Sequence, residues 1–337
     1  MTQHTYRDQE RSRAAAWKSG TAVLSIEARA DARYIGKTGA PGTPSYPFCV
    51  PGAQATENLL PEVREQALSL FEELGIPWHS GCGVGPGNHL LSSQVQCVNA
   101  LGQMVHAPGR IKRAFGARLD IADVLEVEPG RHLTFEYIGP EDWFGECPSG
   151  VRVRGARCTS VDAAFLYRTS VGRTELALVE WKYTEDYRRR RSPDSEKDAV
   201  RHARYFKHWA AADGPLRNDV LSFADLLDEP LYQLMRQQLL AHRLEQERVL
   251  GAERVRVVHV LSPDNAAYQQ SLVRDSQRVA GATVDEVWER MLRQPDRFVH
   301  VDPSRFLDPN ITSPGYVARY GRTEPPCFRP NQCRMPS

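Results

Sequence analysis

The sequence predicts an α/β layered domain: a mixed sheet flanked by helices, with extensions at both ends. Three observations carry this expectation. The apolar period switches from helical to alternating at about residue 132, three short strand-like segments then follow one another, and a nearly continuous apolar run, RVRVVHVLS, comes after two further helices. The chain has 337 residues, 41% hydrophobic and 25% charged, enough for a substantial packed core.

In order along the chain, residues 1–55 are polar and then rich in Pro and Gly (GAPGTPSYPFCVPG), which predicts an irregular N-terminal arm. NLLPEVREQALSLFEELG spaces Leu60, Val63, Phe71 and Leu74 as a helix that stops at Gly75. HSGCGVGPGN is a glycine-rich connector without the Gly-Lys-Ser/Thr ending of a phosphate loop. HLLSSQVQCVNALGQMV is a second helix with Leu91, Val95, Val98, Leu101 and Val105 on one stripe, and RIKRAFGARLDIADVLEV reads as a third. HLTFEYIG alternates as a half-buried strand; CTSVDAAFLYRT and TELALVEWKY are two more, joined at Val171-Gly172-Arg173. SPDSEKDAVRHARYFKHWAA starts with a helix signal and offers Val200, Phe206 and Trp209 as its apolar face; EPLYQLMRQQLLAHRLEQERV is a longer amphipathic helix. RVRVVHVLS suits burial inside a sheet. The helix VDEVWERMLRQ, the strand RFVHV and an irregular tail over 311–337 complete the chain. The domain therefore spans 56–310, with its core at about 89–262.

Composition narrows the function. No apolar run approaches the ~20 residues of a membrane span, and the N-terminus lacks a secretory apolar region. Seven cysteines without framework spacing point to reduced thiols and a cytoplasmic setting. A net charge of +1 gives no general basic excess, so phosphate contacts must come from local clusters. Two qualify: Arg110, Lys112, Arg113 and Arg118, and the run Arg188, Arg189, Arg190 and Arg191. The bland reading of each, taken by itself, is a solvated surface.

The chemically informative stretch is TSVDAAFLYRTSVGRTELALVEWKYTE. Glu180 and Lys182 stand two residues apart, so both project from one strand face, while Val179 and Trp181 project from the other. Pairing about Gly172 puts Asp162 roughly opposite Glu180, and its same-face neighbours Ser160 and Ala164 are small. Two carboxylates and an ammonium then converge, and close carboxylates need a compensating cation. Mg2+, with Mn2+ as a substitute, suits an all-oxygen set of Asp162, Glu180 and the Trp181 carbonyl. Such a site fits phosphodiester hydrolysis: the ion lowers the pKa of a bound water, and Lys182 orients that water or stabilises the phosphorane.

This Asp, hairpin, Glu-x-Lys pattern resembles the PD-(D/E)XK, restriction-endonuclease-like nuclease superfamily, in a bacterial branch. Asp162 matches its first acid, Glu180 its second and Lys182 its lysine; Val161 stands where the named motif has proline. The resemblance implies an α-βββ-α-β core and a nuclease acting on nucleic acid, DNA before RNA, alone, as a homodimer or with a partner subunit. Accessory candidates are Gln94, Glu136, Glu146 and Gln237, while His79 and His89 read as structural. The bland alternative is an exposed cross-strand salt bridge on a solvated sheet face. The competing functional class is a non-catalytic nucleic-acid or partner-binding module on the same fold.

Overall fold

The computed structural model describes residues 5–36, 44–189, 191–192 and 194–321. The elements, in chain order, are α1 (Tyr6–Gly20), β1 (Ala32–Arg33), β2 (Ser45–Tyr46), α2 (Pro61–Glu73), α3 (Ser93–Leu101), α4 (Pro108–Phe115), β3 (Asp123–Leu125), β4 (Thr134–Tyr137), β5 (Val161–Arg168), β6 (Thr174–Trp181), α5 (Ser195–Trp209), α6 (Leu231–Gln246), β7 (Arg254–Val260), α7 (Ala266–Gln269), α8 (Asp275–Ala280), α9 (Val284–Met291), β8 (Phe298–Val301) and α10 (Pro314–Tyr320). Side-chain oxygens of Ser92 and Asp194 cap α3 and α5, each accepting from an amide of the first turn that has no partner within the helix.

The sheet has six strands and is mixed. β4, β5 and β6 run antiparallel as a meander, and β7 and β8 add in parallel beyond β6. Gly172, at φ +82°, makes the β5–β6 turn, a conformation that favours glycine. The alternation of strand side chains divides the interior in two. Ala163, Phe165, Val179 and Trp181 pack with α2, α3, α4 and α10 on one face. Ala164, Leu166, Leu176 and Leu178 pack with α5, α6 and α9 on the other. This mixed sheet flanked by helices is compatible with the restriction-endonuclease-like core expected from the sequence.

Several expectations are corrected. The N-terminal arm is not irregular throughout: α1 covers Tyr6–Gly20. It is held chiefly by polar contacts, with the buried Lys18 ammonium donating to the carbonyls of Ala30 and Cys49, both at 2.9 Å. The third predicted helix stops at Phe115, and Asp123–Leu125 instead forms β3, which pairs with the far end of β5. β4 is buried on both faces rather than half-buried. On α5 the buried residues are Tyr205 and Trp209, whereas Val200 and Phe206 are exposed. The C-terminal tail contains α10, whose buried Arg319 donates to the Asn58 carbonyl at 2.6 Å. Residues 322–337 lie outside the described residues. No helix of the described residues is long and apolar enough to cross a membrane.

Candidate active site

The apolar run of β6 ends at Val179, and the next three residues are Glu180, Trp181 and Lys182. Strand register then does the positioning. β5 and β6 pair with Ala163 opposite Val179, so one step further Asp162 faces Glu180. β4 and β5 pair Phe135 with Ala163 and Tyr137 with Val161, which sets Glu136 against Asp162. Three carboxylates from three adjacent strands thus line up across the sheet. Trp181 points to the opposite face and donates its indole N–H to Gln96 on α3 at 2.8 Å.

The centre is buried and tightly bonded. Glu180 is 1% exposed and Lys182 6%, and their charged atoms meet at 2.6 Å. The solvated cross-strand salt bridge is therefore not what forms. Gln233 on α6 donates to Glu180 Oε1 at 2.8 Å and accepts from Lys182 Nζ at 2.7 Å, joining the pair. Gln237, one turn later, donates to the second Glu180 oxygen. The Asp162 carboxylate accepts the Trp181 backbone N–H at 2.6 Å. In a strand the N–H and C=O of one residue leave on the same side, so the Trp181 carbonyl faces the Asp162 side too. Glu136 accepts from Gln94 at 3.1 Å and from Ser160 at 3.0 Å.

Glu136 also has a left-handed backbone, φ +46°, rare for a residue with a side chain and costly by about 1–3 kcal/mol. Gly155, at φ +69°, leaves room for its carboxylate: a Cβ there would lie 3.0 Å from the Glu136 carboxyl carbon.

The titration behaviour follows from burial and crowding. Burial pushes the Glu136 carboxyl up to about 7, with Glu180 adding to the rise. Asp162 is driven well above the usual carboxylate range by burial, then by Glu180 and Glu136. Burial works to lower Lys182, but Glu180 and its other neighbours outweigh it and hold the ammonium protonated. Once their protons leave, three carboxylates against one ammonium give a local excess of negative charge. An all-oxygen donor set with that excess fits a hard divalent cation of the Mg2+ type.

Asp162, Glu180, Lys182, Glu136 and Gln94 line a cavity of about 880 Å³. Its walls carry Arg7 and Arg11 of α1, the aromatic residues Tyr34, Tyr46, Phe48 and Trp78, and His89. Burial, then the charges of Arg7 and Arg11, lower His89 to about 4, so it stays neutral, and its Nδ1 accepts the Leu91 amide at 3.2 Å. His79 is exposed, and its amide donates to Gln94.

Other predicted residues lie elsewhere. Glu146 is buried away from the cavity and accepts from the Thr159 amide and hydroxyl, both at 2.7 Å, and from Tyr205. Arg110, Lys112 and Arg113 do not line the cavity; their donors go to the carbonyls of Ile311, Ala122 and Asn310 at 2.9, 2.7 and 2.9 Å. Arg118 likewise donates to the His300 carbonyl. In the second basic run Arg188 pairs with Asp186 at 2.6 Å, Arg191 pairs with Asp198 at 2.7 Å, and Arg189 is exposed. Arg190 lies outside the described residues. Sequence reasoning missed Gln233, although its spacing of four from Gln237 puts both amides on one helix face. It also missed the contribution of α1, whose arginines come from a segment expected to be irregular.

The family model described as Restriction Endonuclease associating with ARP matches residues 11–320. Comparison with curated proteins and comparison with solved structures gave no match. The family match runs from within α1 to the end of α10, and the chain belongs to that restriction-endonuclease-like family.

Proposed function

We propose, on the premise of that membership, that the chain is a divalent-metal-dependent nuclease that hydrolyses phosphodiester bonds, with DNA as its substrate in preference to RNA. The observation that supports this best is the convergence of Glu136, Asp162, Glu180 and Lys182 at one open cavity. Asp162 and Glu180, with the Trp181 carbonyl, are the residues that would hold Mg2+ or Mn2+. When bound, the ion supplies positive charge for the scissile phosphate and lowers the pKa of a coordinated water.

The chain's own groups do the rest. Lys182 keeps its protons and offers an N–H to the attacking water or to a phosphate oxygen, with Gln233 fixing where its Nζ sits. Gln233 donates to one Glu180 oxygen and Gln237 to the other, so its orientation is set by α6. Glu136, which exchanges its proton near neutrality, acts as the accessory carboxylate beside Asp162. Arg7, Arg11 and the exposed Arg189 are the backbone contacts, and the aromatic wall is a surface on which bases stack. The preference for DNA rests on the family description, which also names a partner abbreviated ARP; such a partner subunit is part of this reading.

The test is cleavage of plasmid DNA and of RNA with Mg2+ or Mn2+, wild type against Lys182→Ala. Losing Lys182 leaves a buried carboxylate unpaired, a change of about 3–5 kcal/mol, so circular dichroism must show that the variant folds, and Lys182→Gln serves if it does not. Metal-dependent cleavage by the wild type and none by the folded variant is expected. Full activity without Lys182 refutes the mechanism, and salt-sensitive binding with no cleavage in any metal leaves a binding module instead.

A further inference from the structure

The row of polar residues across the sheet does not stop at Glu180. β7 places His259 next to Glu180, and β8 places His300 next to His259. Above these two imidazoles lies Asp285, in the first turn of α9. His259 Nδ1 lies 4.0 Å from Asp285 Oδ1, and His300 Nδ1 lies 3.5 Å from Asp285 Oδ2. One donor atom from each of the three can be chosen so that all lie within 4.8 Å of one another. None of the three lines the cavity of the carboxylate centre.

We propose that His259, Asp285 and His300 bind a divalent transition-metal ion, Zn2+ above others, that clamps α9 to β7 and β8. A buried donor without a partner carries this assignment. His259 is 0% exposed, and its Nδ1 has no hydrogen-bond partner. Asp285 Oδ1, the oxygen facing it, is also buried and unpartnered. At 4.0 Å the two are too far apart to bond each other. Unpaired buried polar atoms are costly, and an ion between them satisfies both. Ligand atoms around a tetrahedral zinc ion, each about 2.0–2.2 Å from it, stand roughly 3.4 Å apart. The gaps here need only small side-chain rotations to reach that spacing.

The surroundings match what metal-binding histidines require. A ligating imidazole commonly gives its other N–H to an oxygen that fixes the ring. The Tyr268 hydroxyl sits 3.3 Å from His259 Nε2, in position to accept that N–H and leave Nδ1 free to bind. Gln269 donates to Asp285 Oδ2, and the Asp285 amide donates back to Gln269 at 3.2 Å. Glu289 Oε1 lies 3.8 Å from His300 Nε2, outside hydrogen-bond reach, so that ring nitrogen has no partner and the second ring is held less firmly than the first. Asp285 and His300 are 24% and 28% exposed, which gives an ion a way in. Two imidazoles and one carboxylate suit Zn2+ or Co2+ better than Mg2+, so the two centres would select different ions.

The test uses metal-free Asp162→Asn protein, titrated with Co2+ and then Zn2+, so that the carboxylate centre lacks a ligand. A parallel titration uses the wild-type chain with excess Mg2+. About one equivalent of Co2+ should bind at this site, with the visible absorption of a nitrogen-ligated, low-coordinate ion, and Zn2+ should displace it. His300→Ala and Asp285→Asn should each weaken binding by more than the roughly tenfold to hundredfold that loss of a supporting contact gives. The thermal midpoint should rise with Zn2+ in the parent and not in these variants. Unchanged affinity in both variants overturns the assignment, as does a Co2+ spectrum of oxygen ligands alone. Neither outcome bears on whether the carboxylate centre cuts nucleic acid.

Discussion

Glu136→Gln should stabilise the metal-free protein above neutral pH and leave it nearly unchanged in mild acid. The Glu136 carboxyl titrates at about 7 in the folded chain against an ordinary 4.5, raised first by burial. A carboxyl whose folded value lies above its unfolded value takes up a proton on folding between the two. Below 4.5 it is neutral in both states and costs nothing. As pH rises from 4.5 to about 7 the unfolded chain ionises while the folded carboxyl stays protonated, so stability falls. Above 7, where the folded state holds a buried charge, it levels off at a lower plateau. The gap between 4.5 and about 7 is worth about 3 kcal/mol, at roughly 1.4 kcal/mol for each tenfold change in the proton equilibrium. Glutamine keeps the shape, and the Ser160 hydroxyl can reverse its bond to accept from the new amide. Urea unfolding in the presence of a chelator at pH 8 should move to higher midpoint by roughly 1 M, and at pH 4.5 by little. Added Mg2+ should stabilise the wild type more than the variant. Equal effects of the substitution at both pH values, or a loss of stability at pH 8, would refute the electrostatic reasoning.

Two further substitutions separate the site from its scaffold. Gly155→Ala puts a Cβ 3.0 Å from the Glu136 carboxyl carbon on a backbone at φ +69°; it should cost about 1–3 kcal/mol and reduce cleavage by displacing Glu136, measured by urea unfolding and initial rates. Glu146→Gln replaces an acceptor of the Thr159 amide and hydroxyl and of Tyr205; it should cost about 1.5–3 kcal/mol while cleavage per folded molecule stays unchanged, because Glu146 does not line the cavity.

The parts of the fold that were legible are those set by local rules. Gly172 fixed a tight turn, the turn fixed the register of β5 on β6, and the register brought Asp162 to Glu180. The apolar stripe from Leu91 to Val105 and the run of β7 were equally clear, because their burial follows a simple period. What escaped was held by contacts far apart in sequence. α1 has few apolar residues and is anchored by Lys18 on distant carbonyls and by Glu10 on the Tyr183 hydroxyl at 2.8 Å. β3 is a three-residue strand at the sheet edge, too short for alternation to register. The basic clusters were visible as charge, yet Arg110 and Arg113 spend their donors on carbonyls about 200 residues away. Glu136 was visible only as a carboxylate on a strand. Its strained backbone and its place beside Asp162 arise from a register with β5 that no local signal specified.

The account stands on the carboxylates and lysine of β4, β5 and β6 acting together on phosphodiester bonds through a divalent ion. Its most direct test is the rate of supercoiled plasmid cleavage at pH 8 as Mg2+ is raised from chelator-treated protein, wild type against Asp162→Asn, at matched folded concentration. The wild type should show no cleavage without metal and a saturable rise with Mg2+, and Asp162→Asn should lose at least roughly a hundredfold in rate. Metal-independent cleavage by the wild type, or an undiminished rate in Asp162→Asn, would contradict it.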